Sequence, residues 1–301
     1  EMGMNHPGEL APLSKIGEPN VAIVTHVAPA HIGHMGSLEA IVDEKLSISK
    51  GLVAGGTLII NGDDSLLAER APKDHNIAVK QFGSGNSSIV SLKSVESRGF
   101  DGITIELILR HSEQEQIIKA EMSAVGKHNA TNVMAAVTGV LTLFPDFPLD
   151  LLVKGLQSFK APLMRLNLKE IAGGKKIVDD SYNANPASMR GLVELGIDLK
   201  KQGAKIGCVF GEMFELGDFA VQYHQEVGRE IVRLGPSFLV GVGAMAKEYV
   251  EIAKQAGISA IHAENAEVAA HIVRKIDFDI LLVKGSRGVG LDRTVRILEG
   301  N

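Results

Sequence analysis

The sequence predicts an α/β protein: a parallel sheet with helices plus a small antiparallel subsheet, followed by a Rossmann-like C-terminal domain. Three observations carry this. Apolar strands alternate with helices between residues 21 and 70, the order that builds a parallel sheet. From 76 to 123 the period drops to two, over strands near 76–82, 88–97, 102–110 and 116–123 separated by Gly-rich turns. From 165 to 299 strand and helix alternate again, with strands at 165–172, 175–181, 205–210, 237–241, 259–263 and 279–284.

Taken in order, Val21, Ala22, Ile23 and Val24 form a continuous apolar strand. A His- and Gly-rich loop (26–36) follows, then a helix from Ser37 to about Leu52, and a strand over 57–61. Asp63 and Asp64 start a short helix, and Gly83-Ser84-Gly85 reads as a turn between antiparallel strands. Ala130, Val133, Met134, Val137 and Leu141 mark one face of a helix over 127–144, which Pro145 and Pro148 end. A short helix over 149–157 precedes a linker at 158–162, placing domains at 1–158 and 159–301.

A net charge of -5 gives no basic footprint for nucleic acid. The single cysteine, Cys208, lies in an apolar strand; it excludes an internal disulfide and suits a reducing compartment. No apolar run approaches spanning length, so membrane insertion is not expected and a cytoplasmic location is. The chain opens on Glu1-Met2-Gly3 and reads as beginning partway through a domain.

The stretch most suggestive of chemistry is Asp179-Asp180-Ser181-Tyr182-Asn183-Ala184-Asn185-Pro186, between a strand and a helix, where open α/β sheets hold ligands. Asn185 capping the helix before Pro186 explains one polar residue, but not five in seven. Lys45 stands one turn after Ile41, beside the apolar positions Val42, Leu46 and Val53. A lysine held from water there becomes a neutral amine able to take up carbon dioxide; the other reading is a packed stem with a solvated ammonium. His31 and His34 occupy the loop after the first strand, though His-x-x-His alone is a weak metal signal.

Gly126-Lys127-His128-Asn129-Ala130-Thr131-Asn132 opens a helix, where free amides suit an anion; capping by Asn129 is the alternative. Lys284-Gly285-Ser286-Arg287 follows a strand and offers two cations and a hydroxyl for a carboxylate or phosphate. Gly241-Val242-Gly243-Ala244-Met245-Ala246, with Glu264 after the next strand, mimics a dinucleotide fingerprint and supports a rival NAD-binding oxidoreductase. Against that, it falls in mid-domain.

These pieces, in this order, resemble the Mur ligase family, the ATP-dependent ligases that build the peptide stem of peptidoglycan. The carriers are Glu1-Met2-Gly3, Ala30-His31, Gly36-Ser37, Lys45, the runs 126–132 and 179–186, Gly211-Glu212-Met213-Phe214-Glu215-Leu216-Gly217, and Lys284 to Arg287. The runs 179–186 and 284–287 resemble the branch that joins D-Ala-D-Ala to UDP-N-acetylmuramoyl-tripeptide. The resemblance implies a partial Mur-ligase central ATPase domain followed by the Rossmann-like ligase domain. It further implies that Glu1, His31 and a carbamylated Lys45 hold Mg2+ and carry the catalytic role, and that Asn129, Arg165 and Asp180 contact ATP. Asn183, Asn185, Lys284, Ser286 and Arg287 are implied on the dipeptide side.

Two small departures are Met164, where the family favours glycine, and Glu212, where it favours aspartate. A larger one is that no Gly-x-x-x-x-Gly-Lys-Ser/Thr occurs in the 301 residues. The expectation is therefore a truncated or split ligase, inactive alone, partnered by a separate N-terminal fragment; a non-catalytic binding protein with the ligase fold is the alternative.

Overall fold

The computed structural model describes residues 1–73, 76–111 and 114–300. The chain forms two compact units, Glu1–Phe159 and Lys160–Asn301.

The first unit runs α1 (Leu10–Gly17), β1 (Val21–Val24), α2 (Ile32–Met35), α3 (Leu38–Leu46), β2 (Thr57–Asn61), α4 (Ser65–Arg70), β3 (Ala78–Phe82), β4 (Val90–Ser97), β5 (Ile103–Leu109), β6 (Gln116–Met122), α5 (Asn129–Leu143) and α6 (Leu149–Gln157). Its strands form one sheet in the order β1-β2-β3-β4-β5-β6. The β1, β2 and β3 strands are parallel, while β4, β5 and β6 are antiparallel. The parallel sheet and the antiparallel subsheet expected from the sequence are thus continuous. Along β5, Ile103, Ile105, Leu107 and Leu109 face a core shared with Val133, Val137 and Leu141 of α5.

One expectation is corrected here. The Gly83-Ser84-Gly85 turn does not join antiparallel strands, because β3 pairs with β2 and, at Phe82 and Val90, with β4 in parallel. The cause is Asp63: its carboxylate accepts the Ser84 N–H at 2.8 Å and the Ser84 hydroxyl at 2.6 Å, so the chain loops outward and re-enters in its original direction. A Cβ at Gly83 (φ +138°) would lie 2.9 Å from that carboxylate, so only glycine fits.

The helix expected to reach Leu52 ends at Leu46 and tightens into a 3-10 turn over Ser47–Gly51. There α1 crosses so closely that a Cβ on Gly51 would sit 2.1 Å from the Ser14 carbonyl carbon. Val53 lies past this turn and is not part of the helix face.

The second unit runs β7 (Asn167–Ile171), β8 (Lys175–Asp180), α7 (Pro186–Lys201), β9 (Ile206–Gly211), α8 (Ala220–Leu234), β10 (Phe238–Val242), α9 (Lys247–Gln255), β11 (Ala260–Ala263), α10 (Ala266–Val273), β12 (Ile280–Lys284) and α11 (Asp292–Glu299). The sheet order is β11-β10-β9-β12-β8-β7, parallel except for β7 at the edge. Residues of β9, β10 and β12 are buried throughout, as a sheet covered on both faces requires. Because β12 inserts between β9 and β8, Lys284 lies opposite both Asp180 and Phe210. That crossover brings the C-terminal ends of three strands to one edge.

Candidate functional site

In the first unit, Lys45 and His31 line a cavity of about 510 Å³ whose other walls are Met2, Gly3, Met4, Asn5, Glu9, Leu10 and Ala30. Glu1 is exposed and is not among the lining residues. His31 takes a left-handed conformation (φ 59°, ψ 18°) at the start of α2, a backbone a non-glycine residue adopts only when its surroundings impose it. Lys45 is half-buried, and that burial lowers its pKa, with the Asp64 carboxylate opposing. Burial therefore makes this lysine easier to deprotonate than an exposed one.

Three acids tie together the segments around Lys45 and His31, two of them, Glu44 and Glu9, not singled out from the sequence. Glu44, buried in α3, accepts the Gly8 N–H at 2.8 Å and the Leu10 N–H at 2.7 Å, pinning the start of α1. Glu9 accepts the amides of Asn5 and His6, which lower its pKa. Asp64 caps α4 through Leu67 N–H and accepts Val27 N–H at 3.1 Å, tying the ends of β1 and β2 together. His26 lies 3.9 Å from Asp64, and burial lowers its pKa, with Asp64 opposing and Lys45 adding to the effect. The available signal was an acid inside an apolar helical run (Glu44) and a second one just before a helix (Asp64).

Among the described residues, no three His, Cys, Asp or Glu side chains converge into a metal-holding group. His31 and Lys45 share the cavity, so the donor set fits a cation only if Lys45 carries an added carboxylate, since a protonated amine repels one. At the start of α5, Gly126 is left-handed, and Asn129 donates its side-chain amide to Val125 O at 2.8 Å while accepting from Asn132. Asn129 does not cap the helix; His128 stands at that position without a side-chain cap.

In the second unit, the ends of β8, β9 and β12 gather most of the remaining candidates. Lys284 is buried and donates to Asp180 Oδ2 and to Asn183 O, the latter at 2.9 Å. Asp180 also accepts Leu166 N–H at 3.2 Å. Met164 and Leu166, both left-handed, flank Arg165, whose guanidinium lies 4.7 Å over the Tyr182 ring. Ser286 accepts Phe214 N–H at 2.8 Å and donates its own N–H to Glu212 O at 3.1 Å. Arg287 is exposed, with Asp292 3.3 Å away.

Asn185 is committed locally. Its side chain accepts Ser188 N–H at 2.9 Å while Ser188 Oγ accepts Asn185 N–H at 3.0 Å, a reciprocal capping box ahead of Pro186. Asn183 stays exposed; its side-chain amide oxygen accepts the adjacent Ala184 N–H, and its backbone carbonyl accepts from Lys284.

The turn that mimics a dinucleotide fingerprint is filled from within. Glu212 accepts Met245 N–H at 3.1 Å, and a Cβ at Gly243 would lie 2.4 Å from the same carboxylate. A pyrophosphate would meet a carboxylate there, which argues against the NAD reading.

Comparison with known proteins agrees with this organisation. Residues 1–140 match the Mur ligase middle domain, and 164–287 match the Mur ligase glutamate ligase domain. The chain belongs to the Mur ligase family. The UDP-N-acetylmuramoyl-tripeptide--D-alanyl-D-alanine ligase of Bacillus subtilis is 33% identical over 309 residues, covering 99% of this chain and 63% of that protein. The crystal structure of MurF from Acinetobacter baumannii superposes with a TM-score of 0.86 at 27% identity, over 99% of this chain and 64% of that one. The MurF ligase from Thermotoga maritima, solved in complex with ADP, matches in fold with a TM-score of 0.83 at 24% identity, over 100% of this Mur ligase chain and 66% of that chain. The chain thus spans a little under two thirds of the length of these relatives.

Proposed function

We propose that this chain supplies the central and C-terminal parts of an ATP-dependent cytoplasmic ligase that joins D-Ala-D-Ala to UDP-N-acetylmuramoyl-tripeptide. The observation that carries the reading is likeness along 99% of the chain to a ligase of that name. In the reaction, ATP converts the free carboxylate of the tripeptide to an acyl phosphate. The dipeptide's neutral amine attacks its carbonyl carbon, phosphate leaves, and an amide remains.

Within the second unit, Asp180 and Arg165 form the nucleotide-facing pair, Asp180 toward ribose hydroxyls. Tyr182 and the strained 164–166 backbone hold Arg165 out from the sheet. Lys284 works as the internal counter-ion that shapes the 180–183 loop, Arg287 is the exposed fork for the dipeptide carboxylate, Ser286 precedes it in the chain, and Asn183 is exposed on the loop that Lys284 holds. Asn185 serves the fold. His31 and Lys45 as a carbamate would hold magnesium, which offsets charge on the transferring phosphoryl group when bound; Glu1, outside the cavity lining, would join them only by a shift of the segment before Met2.

Calorimetric titration with D-Ala-D-Ala tests the dipeptide assignment. Binding is expected to be stereospecific against L-Ala-L-Ala, and Arg287→Ala should cost about 2 kcal/mol, as expected for a charge-assisted hydrogen bond. Equal affinity for both stereoisomers, or no effect of the substitution, would refute it. The Lys45 assignment has its own spectroscopic test: labelled bicarbonate should give a carbamate signal that Lys45→Gln removes.

A further inference from the structure

His224, in α8, is fully buried, and the reaction scheme leaves it without a role. Its Nδ1 lies 2.7 Å from the Ala220 carbonyl, so that nitrogen carries the proton. Its Nε2 accepts Met213 N–H at 2.9 Å, so that nitrogen is bare. The ring stacks on Tyr249, with centroids 5.0 Å apart, and Tyr249 donates its hydroxyl to Gly211 O at 3.3 Å. One imidazole and its stacking partner therefore grip the chain on either side of Glu212.

The turn they grip is the support for the end of β12. Glu212 O and Phe214 N–H bond to Ser286 through its N–H and its hydroxyl respectively, while the hydroxyl also lies 3.5 Å from Ala184 O and the Ser286 carbonyl accepts Val289 N–H at 2.9 Å. Ser286 lies between Lys284 and Arg287. What fixes residues 212–214 therefore supports Ser286 from one side and helps set the level at which Arg287 leaves the sheet.

We propose that His224 is a positioning residue for the dipeptide site: as a neutral imidazole protonated on Nδ1, it holds the 212–214 turn and, through that turn, Ser286 and the neighbouring Arg287. This deepens the ligase reading above and rests on it. The geometry demands the neutral ring, because an imidazolium would aim a second N–H at the Met213 N–H and lose the bond. The charged groups around it are the Glu212 carboxylate at the turn and Glu248 on α9, which favour the protonated ring, against burial, which disfavours it more. Acid therefore loosens the turn from inside the protein, without touching any residue placed against substrate.

The test titrates the 301-residue chain with D-Ala-D-Ala from about pH 7.5 down to about pH 4, well below the ordinary histidine value because burial lowers this one. Wild type, His224→Gln, which keeps an acceptor near Nε2, and His224→Phe, which keeps only the ring, are compared. Wild-type affinity is expected to fall about tenfold on acidification, the Gln variant to match wild type at the higher pH without that fall, and the Phe variant to be about tenfold weaker throughout. A Phe variant that binds like wild type, or a Gln variant with the wild-type acid response, overturns the proposal. If the Phe variant does not fold, the Gln comparison still decides.

Amide exchange separates the two layers. Met213 and Phe214 should lose protection in the Phe variant while β10 keeps it, and unchanged protection overturns the anchoring role. Faster exchange without dipeptide binding by the wild-type chain would instead overturn the substrate reading and, with it, this use of the anchor.

Discussion

Lys284 shows how far a residue's type can mislead about its surroundings. It was read as a group offered to a carboxylate or phosphate, yet it is 3% exposed and spends its ammonium on Asp180 and on Asn183 O. Removing one partner of such a pair strands a buried charge. Lys284→Met should destabilise the second unit by about 3 kcal/mol in urea denaturation, with Asp180→Asn added to it restoring much of the loss. An additive double variant would contradict the pairing. His224 gives a pH dependence whose sign can be worked out. Burial holds its folded-state pKa below the unfolded value of about 6.5, so the unfolded chain takes the proton first. Its contribution to stability is complete above about pH 6.5 and is lost as pH falls toward the folded value. The melting temperature of His224→Gln should accordingly fall less steeply in acid than that of wild type. His26, lowered for the same reason, accounts for part of the remaining slope.

At the scale of elements, two carboxylates and a cap set the geometry. Glu44 holds the Gly8 and Leu10 amides, so Glu44→Ala should release the start of α1, cost about 2 kcal/mol, and make the segment before Leu10 the first site of limited proteolysis. Asn185→Ala should cost about 1 kcal/mol through loss of the α7 cap, whereas Asn183→Ala should leave stability unchanged. Equal losses at both would contradict the division of labour between them. These elements also mark how much was legible beforehand. Strand and helix alternation gave the α/β fold, because 3.6- and 2-residue periods are written in the apolar pattern. Strand direction was not, since β3 looks the same to its own sequence whether β4 runs with it or against it. The choice is made by Asp63 gripping Ser84, a contact across 21 positions. The candidate site was half legible for a similar reason. Residues at strand ends, such as Asp180 and Lys284, announce themselves by position. His224 lies mid-helix and acts on a turn 11 residues back, with no local pattern to betray it.

For the whole molecule, two Mur ligase domains are present, and the chain spans a little under two thirds of its relatives' length. The glycine loop whose amides cradle ATP phosphates has no counterpart in the 301 residues. Our account assigns the chain the carbamate-forming lysine and the dipeptide-receiving edge, and assigns phosphate binding to a segment outside these residues. The most direct measurement is formation of the UDP-linked pentapeptide from ATP, UDP-N-acetylmuramoyl-tripeptide and D-Ala-D-Ala, by the chain alone and by the chain joined to the glycine-loop segment of a relative. The joined protein is expected to make the product, with D-Ala-D-Ala required, and the 301-residue chain to make little or none. Efficient ligation by the chain alone, or a joined protein that hydrolyses ATP with no response to D-Ala-D-Ala, would contradict the account.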